Sequence, residues 1–252
     1  MIQAALFSGR PLQPERFSRP LYDLLDGWRD RPYRFSDVEP VRQPWGSRDE
    51  FLRQCEHNSR QPFGTVIVKW QRPQCYLMLI FERGPLSQSH VLTMRLRHGV
   101  GVGGESIPWI LGLLDALLDL LEIDYGFACL EDEFRSLNTP AASTDGTGGN
   151  QSTHALGPKW PDCIPGLFWC NYFGNAYFEQ GFGPRIMELS GATSLRRGVR
   201  VLRSPSPVTW ESEEDQIRSE QVRTILGVEW FCSCQDSKHL KSLKTDKAAF
   251  CI

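Results

Sequence analysis

The chain has 252 residues, a formal net charge of −2 at pH 7 and a hydrophobic content of 40%. This composition excludes a disordered protein, and the length allows one large core or two cores of ordinary size. Because the net charge is close to zero, the chain lacks the basic surplus typical of a nucleic-acid binder and the strong deficit of an acidic mimic. Arguments from charge must therefore be local.

The first part of the chain predicts alternating helices and antiparallel strands. A strand at 2–7 and a helix at 14–28 are followed by a second helix, for which Ser47 and Glu50 have the spacing of a capping box. Turn signals separate three strands, at 64–70, 75–81 and 92–97, as in a meander. The strongest helical pattern begins at Ser106, and its apolar stripe consists of Ile107, Ile110, Leu111, Leu114, Leu117, Leu118 and Leu121. A strand at 124–131 follows.

The second part is separated by a segment rich in Ser, Thr, Gly and Pro. Beyond it the run GLFWCNYFGNAYF, residues 166–178, has six aromatic rings and almost no charge. Its apolar residues point to both sides of an extended chain, which predicts a strand covered on two faces. We expect Gly174 to end that strand and Asn175 to cap a short helix. Strands at 198–203 and 228–232 flank a helix at 210–226 that Gly227 ends.

Together these elements predict an α+β fold with antiparallel sheets covered by helices and two halves joined by a long flexible segment. We expect an N-terminal α+β domain at 1–136, a linker or insertion at 137–159 and a C-terminal α+β domain at 160–234. The lysine-bearing tail at 235–252 is predicted to be frayed.

Nothing in the sequence has the character of a membrane span or a secretory signal. The first residues, MIQAALFSGRPL, lack a basic start and a continuous apolar run, and the longest apolar window carries Asp115 and Asp119. We therefore expect a soluble cytoplasmic protein with no membrane contact. Eight cysteines without a framework spacing indicate reduced thiols.

A glycine-rich turn lies between a predicted strand and a predicted helix. Gly99, Gly101 and Gly104 match the G-x-G-x-x-G spacing of dinucleotide sites, and Asp124 follows twenty residues after Gly104. However, the preceding strand alternates with arginines and follows antiparallel strands, unlike the first strand of a Rossmann domain. A flexible turn is the simpler interpretation, and a nucleotide-binding enzyme is the alternative.

The search for catalytic and metal motifs finds none. Two Cys/His groupings, around Cys55 and Cys232, lack the paired ligands of a zinc site. Cys129 and Cys163 could be nucleophiles only beside a histidine, which the sequence does not show. We therefore predict no catalytic residue, no metal and no cofactor.

Carboxylates recur on one face of the helix that follows Ser106. Asp115, Asp119 and Glu122 have the spacing i, i+4 and i+7, and a second acidic group follows about ten residues later. One interpretation is a solvated face; the other is an acidic surface for a basic partner with an aromatic anchor. We call the following residues the candidate strip: Trp109, Asp115, Asp119, Glu122, Glu131, Asp132 and Glu133. A further cluster, Glu211, Glu213, Glu214 and Asp215, is explained mostly by the dipole of the helix that it begins.

The run GLFWCNYFGNAYFE, the RIMEL stretch at 185–189 and the later strand–helix–strand ending at 228–231 resemble the immunity protein 52 family of bacterial polymorphic-toxin systems. The resemblance is best over 165–231. It implies a non-enzymatic immunity protein that binds and neutralises a cognate toxin delivered by contact-dependent or type VI secretion. The implied toxin is a nuclease with a restriction-endonuclease-like domain, so the chain would contact protein and no nucleic acid directly. Since a nuclease presents basic residues to phosphates, carboxylates of the candidate strip would favour its binding.

Overall fold

The computed structural model describes residues 1–8, 10, 12–82, 90–96, 106–138, 164, 166–228 and 231. Its fold is α+β with antiparallel strands and covering helices, which confirms the predicted fold class. The elements in chain order are β1 Ile2–Ser8, α1 Pro14–Asp26, β2 Arg34–Ser36, β3 Gln43–Pro44, α2 Arg48–Ser59, β4 Phe63–Trp70, β5 Cys75–Glu82, β6 His90–Leu96, α3 Ser106–Leu120, β7 Tyr125–Leu130, α4 Glu131–Asn138, β8 Cys170–Gly174, α5 Asn175–Glu179, α6 Gly183–Met187, β9 Ala192–Leu195, β10 Gly198–Leu202 and α7 Glu213–Leu226.

The strands are hydrogen-bonded in the order β3-β2-β4-β5-β6-β1-β7-β8-β10-β9, and each of these pairs is antiparallel. The first strand lies in the middle: Ala5 of β1 pairs with Thr93 of β6 on one side and with Phe127 of β7 on the other. β7 in turn pairs with β8, where Tyr125 lies opposite Phe173. Strands from both predicted halves therefore join in one sheet.

The sheet carries a hydrophobic core on each face, because successive side chains of a strand point to opposite sides. In β1, Ile2, Ala4 and Leu6 belong to the first core, whereas Ala5 and Phe7 belong to the second. Helices α1, α2 and α3 contribute to the first core, and α5, α6 and α7 contribute to the second.

The aromatic run at 166–178 forms the buried strand that the sequence predicts. Tyr172 of β8 packs into the first core and Phe173 into the second, so both faces of the strand are covered. The rings of Phe168 and Phe127 stack with their centroids 4.2 Å apart. The cap prediction for Asn175 is wrong: α5 begins at this residue, and Gly174 precedes it without a side-chain cap hydrogen bond.

Several further predictions can be placed in the described residues. Ser47 does precede α2, but it makes no side-chain cap hydrogen bond, and the Glu50 side chain contacts Arg53 and Gln54. The predicted linker at 137–159 begins inside α4 and otherwise lies outside the described residues, as does the tail at 235–252. The predicted domain boundaries stay a prediction.

Four cysteines fall in the described part of the chain, and all of them are buried free thiols: Cys55, Cys75, Cys129 and Cys170. No described helix has the length and apolar character needed to span a membrane.

Candidate partner-binding surfaces

The first carboxylate of the candidate strip, Asp115, forms an ion pair within the protein. Asp115 of α3 forms an ion pair with Arg200 of β10, and the two side chains are 22% and 15% exposed. Burial raises the pKa of Asp115, and the neighbouring guanidinium of Arg200 opposes that rise. The pair links α3 to the strand beneath it, so its first role is structural.

The other two carboxylates of this helix face also meet arginines. The Asp119 Oδ1 atom accepts a hydrogen bond from the backbone N–H of Arg197 at 3.2 Å. Glu122 lies 3.3 Å from Arg10 and 3.8 Å from Arg197, measured between its carboxylate oxygens and their Nη1 atoms. Three arginines therefore accompany three carboxylates, and the local charge is balanced rather than acidic.

Trp109 is placed in the core. Its side chain is 9% exposed and packs edge-on against Trp70, with ring centroids 6.0 Å apart. An aromatic residue in this position stabilises the α3–sheet contact, because its ring has already been removed from water. The expected aromatic anchor of the candidate strip, Trp109, is therefore buried in the core and not presented at the surface.

The three acidic residues after β7 form the first turn of α4, and their side chains lie in different environments. Asp132 is exposed, and Glu131 pairs with Arg135 at 2.5 Å one turn along the helix. Glu133 is fully buried, so the expectation that it extends a surface strip is wrong. The sequence could not show this, because the partners that bury it are about 70 residues away.

Glu133 belongs to a buried charge cluster with Arg203 and Asp215. The Arg203 Nη2 atom lies 2.8 Å from Glu133 Oε1 and 2.7 Å from Asp215 Oδ2, and its Nη1 atom donates to the Leu167 carbonyl at 2.9 Å. Burial raises the pKa of Glu133 to about 7, although the Arg203 charge opposes this. The cluster ties α4 and α7 to the residue after β10.

A surface on α7 was not singled out by the sequence. The inner side of this helix carries Asp215, Val222 and Leu226, which are buried, whereas Ile217 and Ile225 are 52% and 38% exposed. Ser212 caps the helix by accepting a hydrogen bond from the backbone N–H of Asp215 at 3.2 Å. Only the positions of Ile217 and Ile225, outside the arc of the buried residues, could have indicated this surface.

The remaining sequence motifs add no site. Gly99, Gly101 and Gly104 lie outside the described residues, so the nucleotide alternative has no geometry to examine. Within the described ranges, no group of three or more His, Cys, Asp or Glu side chains could hold a metal ion.

The fold is similar to the solved structure of the Pseudomonas aeruginosa T6SS protein PA0821, with a TM-score of 0.55 and 12% sequence identity. The similarity covers 94% of this chain and 76% of that chain. At this identity the likeness shows a shared fold and assigns no residue a role. No family model and no curated protein matches the chain, and the resemblance to the immunity protein 52 family is not confirmed.

Proposed function

We propose that this chain is a type VI secretion immunity protein that binds and neutralises a cognate secreted toxin. The observation that carries the proposal is the fold shared with a T6SS protein over 94% of the chain. The resemblance to the immunity protein 52 family favours the same function, and the aromatic run that carries this resemblance includes β8 and α5. The likeness in fold and the resemblance in sequence are separate lines of support.

The proposed action is stoichiometric binding in the cytoplasm. A sheet with a core on each face holds its surface helices in fixed positions, and a preformed surface costs little conformational entropy when a partner binds. The proposed partner is a nuclease with a restriction-endonuclease-like domain. Neither turnover nor a cofactor nor direct contact with nucleic acid or membrane is required for this inhibition.

The test requires a neighbouring gene that encodes a secreted protein ending in a nuclease-like domain. The chain is co-expressed with the product of that gene. We expect a stable complex on size exclusion and restored growth of cells that express the toxin. A nuclease of unrelated fold serves as the control and should neither bind nor be inhibited. Failure to form the complex together with failure to protect cells would overturn the proposal.

A second measurement separates this function from the nucleotide-binding alternative. Titration with NAD or NADP should leave the thermal unfolding midpoint unchanged for an immunity protein. A ligand that binds only the folded state would raise the midpoint with concentration. Such a rise, lost on substitution of Gly101 by valine, would favour the enzyme.

A further inference from the structure

We propose that the outward face of α7 is the docking surface for a basic protein partner. We call it the α7 face, defined by Glu213, Ile217, Glu220, Thr224, Ile225 and the following Val228. The inference rests on the proposed function in taking the toxin as that partner. It moves the proposed interface from the candidate strip on α3 to the other side of the sheet.

Helix geometry brings four of these residues together, while Ile225 lies at the edge of the face and Val228 follows the end of the helix. At 100° per residue, positions 213, 217, 220 and 224 fall within about 60° of one another around the axis. Asp215, Val222 and Leu226 fall on the opposite side, where they are buried. An open, shallow surface region lies along α7, and Glu213, Ile217, Glu220 and Ile225 are among the residues that line it.

The apolar part of the face is more exposed than folding alone requires. Ile217, Ile225 and Val228 are 52%, 38% and 63% exposed, and they lie within twelve residues of one another. Single exposed apolar side chains are ordinary, but a group flanked by polar residues is typical of a protein-binding surface. Covering these three side chains with a partner would remove their apolar area from water.

The charged part of the face distinguishes it from the candidate strip. Glu213 and Glu220 lie on this face, and among the described residues neither forms an ion pair with a cation, unlike their neighbour Glu214, which pairs with Arg218. By contrast, Asp115 pairs with the largely buried Arg200, and Glu122 pairs with Arg10 at the surface. A carboxylate without an ion-pair partner can attract an approaching lysine or arginine, which raises the association rate and adds specificity.

The same charges select the occupant. A second copy of this chain meeting the face around a two-fold axis would bring Glu213 and Glu220 of both copies into one interface, and the added negative charge opposes association. A nuclease surface that binds phosphates supplies lysines and arginines instead. The chemistry of the face therefore suits a basic protein with an apolar patch of its own.

The decisive experiment measures toxin affinity for full-length variants by calorimetry at low and physiological salt. The variant E213K/E220K should bind about tenfold or more weakly at low salt, with a smaller loss at high salt because ions screen exposed charges. I217D should weaken binding about tenfold at either salt, because it removes an apolar contact and leaves a buried charge in the interface.

Matched controls keep the result specific. The variant D119K/E122K changes the net charge by the same amount on the candidate strip and should leave affinity within about threefold, since those carboxylates already have arginine partners. Val38 is 62% exposed on a different surface, close to the 63% of Val228. V228D should therefore weaken binding, whereas V38D should not. Circular dichroism confirms that each variant is folded.

The outcomes separate this inference from the proposed function. If the unmodified chain fails to bind the toxin, the proposed function fails. If it binds and the α7 variants bind equally well, or if D119K/E122K loses as much affinity, the α7 assignment is overturned. A dimer of the free chain that I217D dissociates would assign the face to a second copy and would also overturn it.

A further possible occupant of the α7 face is the chain's own C-terminal segment, which is tested by reversing its charges in the full chain. Lysines at 238, 241, 244 and 247 follow the described residues. If changing these four lysines to glutamate restores toxin binding to E213K/E220K, the face serves the chain's own C-terminal segment and the inference is overturned. Continued weak binding supports a partner in that position.

Discussion

Arg200 of β10 and Asp115 of α3 form an ion pair across the interface between helix and sheet, with side chains that are 15% and 22% exposed. The helix is otherwise held by apolar contacts of its leucine stripe in the first core. The pair adds a directional contact that fixes how α3 lies over the strands. Because the Asp115 carboxylate is paired, the first carboxylate of the candidate strip is not available to a partner.

Removing one member of this pair should destabilise the protein. We expect D115A to lower the free energy of unfolding by about 1–3 kcal/mol, between the values typical of exposed and fully buried ion pairs. Urea unfolding followed by tryptophan fluorescence measures this change. The exposed D132A should change stability by less than about 0.5 kcal/mol. If R200M and D115A proved fully additive in the double variant, the two residues would not interact.

The buried Glu133 should make stability depend on pH. Its pKa in the folded protein is raised to about 7 by burial, whereas in the unfolded chain it has the ordinary value for glutamate, 4.5. Between these values the folded state binds more protons at this group than the unfolded state. The contribution of Glu133 to the free energy of unfolding should therefore fall as pH rises from 4.5 to about 7, and level off above that pH.

The measurement compares unfolding free energies of the unmodified chain and E133Q across this range. Burial also raises the pKa of Asp115, so the difference between the two proteins isolates the part due to Glu133. E133Q should gain stability relative to the unmodified chain as pH rises, because its amide cannot ionise. A difference that stays constant with pH would show that Glu133 ionises normally. The matched variant D132N, at the exposed neighbouring position, should show no such trend.

The buried thiols should be chemically inert in the folded protein. Burial raises the pKa of Cys170 to about 12, and its side chain is fully buried in the first core. Since the thiolate is the reactive form, iodoacetamide at pH 8 should label Cys170 only after unfolding. Peptide mass spectrometry with and without urea measures the labelled fraction. Labelling of Cys170 without denaturant, at the rate of an unfolded control peptide, would contradict its burial.

Much of the local structure could be predicted from the sequence, because it depends on neighbouring residues. The leucine stripe predicts α3, which the structure places at Ser106–Leu120. Gly227 ends α7 as predicted, with a φ of 97° that glycine adopts without strain. The strands β4 and β5 lie within one residue of their predicted bounds.

The order of the strands and the state of the acidic residues could not be predicted. Nothing local indicates that β1 pairs with both β6 and β7, since these partners are about 90 and 125 residues away. The same holds for Glu133, whose burial depends on Arg203 and Asp215. A spacing of i, i+4 and i+7 shows that carboxylates share a helix face. It does not show which arginines lie beside them in the folded protein. The short β2, β3 and β9 were missed because their patterns are too brief to recognise.

Two glycine-to-alanine substitutions should have opposite effects on stability. Gly174 ends β8, and a Cβ added there would lie 1.9 Å from the Ile123 carbonyl oxygen, which is part of the backbone and cannot move away freely. Gly112 lies inside α3, and a Cβ there would be 3.6 Å from the Trp28 ring, an ordinary contact. We expect G174A to lower the free energy of unfolding by more than about 2 kcal/mol, because the backbone must shift.

G112A should instead raise the free energy of unfolding by about 0.5–1 kcal/mol, since alanine restricts the unfolded chain and favours the helix. Each variant is the control for the other, because both add one methyl group to a glycine. Chemical unfolding of the two proteins under the same conditions measures the difference. A neutral G174A would show that β8 does not approach the Ile123 backbone as closely as described. That result would weaken the pairing of β7 with β8, which joins the strands on either side of the segment 139–163 into one sheet.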